Sequence, residues 1–261
     1  MTAVAAGPVG LPAGHYRLRH VLRMEWIKLR GLRSTWSVLA LVVAGAIGIG
    51  LAVGVNTRNA AGDLTNNALG GIAPGLLLIG VLGVLATTGE YASGTIRATL
   101  AAIPNRPLLL VAKASVLGAV ALAAGEAAAF VAFFAGTTTL PARIPAPTLG
   151  QPGVLRAVVL GGAGYCLIGL IGLGLGAIVR HTAAALAVLV GGVYVVGQIA
   201  GAVANSMMAY LPISIVANSL SVTRPVEGAH FLSPWTGLGM LCLYTVVVLS
   251  AGGWLLARRD A

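Results

Sequence analysis

Apolar positions along the chain gather into long runs separated by short polar breaks. Six runs approach or exceed the about 20 helical residues needed to cross a hydrocarbon core about 30 Å thick. They are Trp36–Val55, Ala68–Thr88, Ala114–Thr137, Ala157–Val179, Thr182–Val203 and Trp235–Ala257. Pro74 predicts a kink near the outer end of the second run. Only Arg180 and His181 separate the fourth from the fifth, which predicts a tight antiparallel hairpin. Glycines four residues apart recur at Gly50 and Gly54, Gly172 and Gly176, and Gly197 and Gly201. Such pairs serve either close packing within one chain or a seam between two copies.

The segments outside these runs have patterns of their own. Residues 1–14 are uncharged and rich in Gly, Pro and Ala, and read as a loose tail. The basic residues follow the tail, the reverse of a secretory signal. From His15 to Arg33, Leu18, Val21, Leu22, Trp26, Leu29 and Leu32 share an arc about 140° wide at 100° per residue. Basic residues flank the arc, so residues 15–35 are expected to form an amphipathic interfacial helix leading into the first span. Glu25 lies in the middle of that apolar arc. It either pairs along the helix with Lys28 or Arg33 or makes a fixed contact with another element, because an unpaired carboxylate there is costly. The inner loop Gly89–Lys113 predicts a short helix, capped by Ser93 or Thr95 and ended by Pro104. Asn105 then caps the next helix, with Pro107 in its first turn. Residues 204–234 contain the run Met207–Leu220, interrupted by Pro212 and too short to span, which suggests an outer helix pair or a re-entrant piece.

Composition fixes the solvent. Apolar residues make up 58% of the chain and charged residues 8%, against about 45–50% and about 25% in soluble domains. A soluble fold cannot hide that much apolar surface. The net charge of +10 follows from topology rather than from nucleic-acid binding, because the basic residues sit between the runs. With the N-terminus inside, Arg17, Arg19, Arg23, Lys28, Arg30, Arg33, Arg97, Arg106, Lys113, Arg180, Arg258 and Arg259 face the cytoplasm. Arg58, Arg143, Arg156 and Arg224 face outward, so the sixteen basic residues divide twelve to four. Both termini are then cytoplasmic, with residues 258–261 as a short inner tail. Cys166 and Cys242 lie in apolar runs and read as packing residues. The excess of Arg over Lys points to a GC-rich bacterium, and hence to its cytoplasmic membrane.

Chemistry-bearing motifs are sparse. The only lysines, Lys28 and Lys113, follow Ile27 and Ala112 rather than a phosphate-loop glycine. The four histidines are scattered and form no metal-ligand spacing. Glu126 lies about 18 Å into the third run at about 1.5 Å per residue. It is a candidate for lining a cavity or substrate path, or for a structural hydrogen bond. Tyr165, Tyr194 and Gln198 are its candidate companions.

The basic helix EWIKLRGLRSTW, six spans with both ends inside, and the inner loop GEYASGTIRATLAAIPNRPLLLVAK together resemble the ABC-2-type permeases. These are membrane subunits of ATP-binding-cassette exporters. The most specific part is Glu90 with Ser93-Gly94-Thr95, then Pro104, Arg106 and Lys113, and the resemblance runs from about Glu25 to Arg259. It implies an all-α membrane fold of type V exporter character, with six transmembrane helices over residues 36–257. The short inner helix would be the coupling helix docked on the ATPase. Glu90, Tyr91, Thr95 and Arg97 would then lie at or near that contact, with Glu25 and Arg30 close by. The implied assembly has two ABC ATPase subunits, a second permease copy (identical or a sister chain) and membrane lipid around it, with no nucleic acid. ATP and Mg would be bound by the partner ATPases and no cofactor by this chain, which would be a non-enzymatic subunit. ATP-driven closure of the ATPases would move the spans as rigid bodies and open a path between the second and fifth spans of the two copies. Two other readings stay open: an ATPase-linked module for sensing or assembly, and an intramembrane transferase.

Overall fold

The structure, a computed structural model, describes residues 17–59, 62–196, 199, 205–223 and 231–258. The N-terminal tail, Gln198, the Gly197–Gly201 pair and the last three residues lie outside the described residues.

Every regular element among the described residues is helical. Five helices are long and apolar enough to cross a membrane. These are α2 (Arg33–Asn56), α4 (Ile72–Ala92), α6 (Arg106–Thr138), α7 (Val154–Val179) and α11 (Pro234–Arg258). The expected fifth run is α8 (Thr182–Ala187) continued by a π-helix, Val188–Val196, and is described only that far. The chain is therefore an all-helical, multi-pass membrane protein.

Helix boundaries follow local chemistry. Pro74 does not kink a span, because α4 begins at Ile72 and places the proline in its first turn, where no intrahelical N–H is needed. The residues before it fold separately as α3 (Leu64–Ala68), capped by the Asp63 side chain. Neither Ser93 nor Thr95 caps α5 (Thr95–Ala102). Gly94 takes the N-cap position at φ +72°, a conformation that favours glycine. Asn105 caps α6 as the sequence predicts, accepting from the Leu108 N–H at 3.0 Å. That helix starts eight residues before the apolar run and so carries Lys113 inside it. The hairpin at Arg180 and His181 is present, with Arg180 in the left-handed region at φ +61°.

Helix α7 is the centre of the bundle, packed on α4, α6 and α11. Its glycines bring backbones together. A Cβ at Gly172 would fall 2.2 Å from the Gly80 carbonyl oxygen of α4. Gly50 and Gly54 face the α6 backbone in the same way. Two of the three small-residue pairs are thus used within the chain.

The two ends of the bundle are built differently. At one end, α1 (Leu18–Gly31) lies across α6, and the α7–α8 hairpin meets the close of α11. Arg106 and Arg180 donate to the Leu256 and Leu255 carbonyls there, at 3.0 and 3.1 Å. Those are orphan acceptors at a helix C-terminus, where positive charge is favoured. At the other end the run Met207–Leu220 lies in two short helices, α9 (Asn205–Met208) and α10 (Pro212–Ser219). Val216 of α10 packs beside Gly164 of α7, well inside the bundle. Asp63 holds this cap down by accepting from the Thr223 N–H at 2.9 Å and from that of Val222.

Candidate functional site

Four charged side chains meet where α1, α4, α5 and α6 converge. The Lys113 ammonium lies 2.6 Å from Glu25 Oε2 and 2.7 Å from Glu90 Oε1. Lys28 Nζ lies 3.2 Å from Glu25 Oε1 and 3.0 Å from Glu90 Oε1, and donates to Thr99 Oγ1 at 3.1 Å. The cluster thus holds both lysines of the chain and two of its four glutamates. Glu25, Lys113 and Glu90 expose 4%, 9% and 13% of their side chains. Charges this enclosed persist only when paired. Here two ammonium and two carboxylate groups balance.

Helix geometry explains the convergence. Val21, Glu25 and Leu29 follow at four-residue spacing and form the buried face of α1. Val21 packs with Ile103, Leu109 and Ala112 in a small core under that helix. Trp26 and Leu18, on the same sequence arc, are instead 42% and 43% exposed. Glu25 makes both contacts weighed for it, one with Lys28 along its own helix and one with a distant element. Arg33 is not its partner. The distant partner, Lys113, stood out in the sequence as a basic residue of the inner loop and as the last residue of the family-like stretch, with nothing to tie it to Glu25.

The residues expected at a coupling surface divide into two groups. Glu90 turns inward and is consumed by the cluster. Tyr91 is half-buried, with the Arg180 guanidinium 5.3 Å from its ring centroid. Thr95, Arg97 and Arg30 are exposed. Thr95 Oγ1 lies 2.9 Å from Ser93 Oγ. The basic end therefore presents a short helix bearing Arg97, fastened from behind by buried ion pairs.

A cavity of about 520 Å³ adjoins the cluster. Glu25, Lys28, Glu90 and Lys113 form part of its wall. Leu29, Leu32, Leu85 and Leu117 form much of the rest. Glu90 Oε2 has no hydrogen-bond partner.

The second candidate group does not form a network. Glu126 packs its carboxyl against the backbone of Gly162 in α7, and its Oε2 is buried without a partner. Tyr165 is fully buried beside Gly125, but its hydroxyl donates to the Ile72 carbonyl at 3.1 Å. The Tyr194 hydroxyl is buried without a partner. No hydrogen bond joins Glu126 to either tyrosine among the described residues.

Comparison with known protein families gives no match for this sequence, and comparison with curated proteins gives none.

Proposed function

We propose that the chain is the permease subunit of an ABC exporter of the ABC-2 type, driven by a separate ATPase. One observation carries this reading. The short helix α5 and the interfacial helix α1 are locked to the ends of α4 and α6 by a buried four-charge cluster, with Arg97 and Arg30 left on the exposed side. Such a joint moves as one body when a partner pushes on α5, and carries the push directly into two spans. A passive anchor has no need to bury charge behind an exposed short helix.

In this reading the basic end is cytoplasmic and Thr182–Val203 completes six crossings. Two copies and two ATPases form the exporter, in the cytoplasmic membrane of a GC-rich bacterium. The exported compound is a drug, antibiotic, peptide or lipid-like molecule. Glu126, Tyr165, Tyr194 and Gln198 are residues of the path. An ATPase-linked module for sensing or assembly shares every feature but the path, and substrate-stimulated ATPase activity separates the two.

The test uses two variants that the structure distinguishes. Arg97→Glu alters an exposed residue outside the cluster. It is expected to keep wild-type thermal stability while losing the copurifying ATPase. Glu90→Ala breaks the cluster and is expected to lose both. An Arg97→Glu chain that retains the ATPase at wild-type stoichiometry and exports normally overturns the coupling role of α5.

A further inference from the structure

Among the described residues, Glu126 is the only carboxyl group with neither an ion pair nor a hydrogen bond. It lies 12 residues before Thr138, the end of α6. That is about 18 Å at about 1.5 Å per residue, too far for a glutamate to reach water there. The carboxyl occupies the space that the missing side chain of Gly162 leaves on α7. A Cβ at Gly162 would fall 2.6 and 2.7 Å from the two carboxyl oxygens. Oε2 is buried, whereas Oε1, equally unbonded, is not enclosed. The helix surface beside it is apolar, with Ala123 and Ala127 exposed and Leu122 40% exposed. No charge stands level with Glu126. Of the helices packed on α6, α2, α4 and α11 carry charged residues only at the end near the ion cluster, namely Arg33, Glu90 and Arg258. On α7, Arg156 lies six residues before Gly162, about 9 Å along the helix. It donates to the Ser221 carbonyl instead. The other titratable groups of α7, Tyr165 and Cys166, are uncharged at neutral pH.

We propose that Glu126 is a proton-holding site within the membrane, a neutral carboxylic acid whose Oε1 edge opens to the apolar phase, and that hydrophobic carbodiimides modify it. Glu25 and Glu90 keep their charge because lysines meet them. Nothing meets Glu126, and the neutral acid is the form that such a place holds. With the hydroxyl on Oε1, the buried Oε2 is a carbonyl oxygen, the less costly atom to leave unbonded. In the modification, the acid proton passes to one nitrogen of the carbodiimide and Oε1 bonds to its central carbon. The bond between Oε1 and the acyl carbon then breaks as that carbon moves to the other nitrogen. The product is an N-acylurea that contains the whole reagent, with nothing lost. The inference rests on the multi-pass membrane reading and not on a transport role.

The full chain in lipid nanodiscs, treated with dicyclohexylcarbodiimide or with a water-soluble carbodiimide bearing a dimethylamino arm, tests it. Adducts are mapped by peptide mass spectrometry. The hydrophobic reagent is expected to modify Glu126 equally fast at about pH 6 and about pH 8, whereas an ordinary glutamate, titrating at about pH 4.3, loses its acid form about a hundredfold over that interval. The water-soluble reagent should modify Glu126 at least about tenfold more slowly, because it does not enter the apolar phase. Glu126→Gln should remove the adduct, and its infrared spectrum should lack the carbonyl band of a protonated acid that the wild type shows. If that variant does not fold, the wild-type band and the mapped adduct decide. A hundredfold fall in rate between the two pH values overturns the proposal. So does equal modification by the two reagents, or the lack of any adduct at Glu126 with the hydrophobic one.

Discussion

Lys113 and Glu25 are 88 residues apart in sequence, and their side chains meet at 2.6 Å with almost no exposure to solvent. The contact joins α1 to α6. Because Glu90 and Lys28 close the same cluster, removing any one member leaves an unbalanced charge in an enclosed place.

Lys113→Met is therefore expected to destabilise the chain by about 3 kcal/mol, the usual effect of breaking one side of a buried pair. Glu25→Gln should act in the same direction. The double variant restores charge balance and should be less destabilised than the sum of the two single changes. Denaturation of the purified chain in detergent measures all three. Additive losses would show that the residues do not act as a pair.

The face of α1 gives a second contrast. Val21 is 1% exposed in a small core with Ile103 and Leu109, whereas Trp26 is 42% exposed. Val21→Asp is expected to cut the yield of folded protein severely, by burying an unpaired charge. Trp26→Asp should spare the fold in detergent but weaken seating at the bilayer surface. Equal yields for the two variants would mean that α1 is not docked through Val21.

Orientation is measurable by labelling single cysteines in a chain with Cys166 and Cys242 replaced. Cysteines at Asn59 and Gln151 should label in intact cells, and one at Ala101 only after permeabilisation. All three positions are exposed. Ala101 is preferred to Asn105, whose side chain caps α6 and whose loss costs about 1 kcal/mol. Labelling at Ala101 in intact cells would reverse the proposed topology.

The α4–α7 seam predicts a steep size dependence. A Cβ at Gly83 would fall 2.1 Å from the Gly169 carbonyl oxygen, while one at Gly48 meets nothing within 4 Å. Gly83→Ala should push two helix backbones apart and lower the melting temperature. Gly48→Ala should hold or raise it, since alanine favours a helix by up to about 1 kcal/mol over glycine. Similar behaviour of the two variants would rule out the close approach.

Local pattern alone determined much of this protein. Long apolar runs dictate membrane-crossing helices because backbone polar groups in lipid must be satisfied within the segment. The Asn105 cap, the helix α1 and the break at Arg180 and His181 are equally local, set by residues within a turn of one another. Tertiary structure decided the rest. Periodicity placed Glu25 on an apolar face but could not say which cation met it, because Lys113 and Glu90 reach it only when three helices cross. The glycine pairs signalled close packing without naming the partner helix, since a bare backbone is equally suited to any neighbour. Whether Glu90 faces outward or inward was likewise invisible, for one helical turn holds both directions and only the packing of α1 against α6 selects between them.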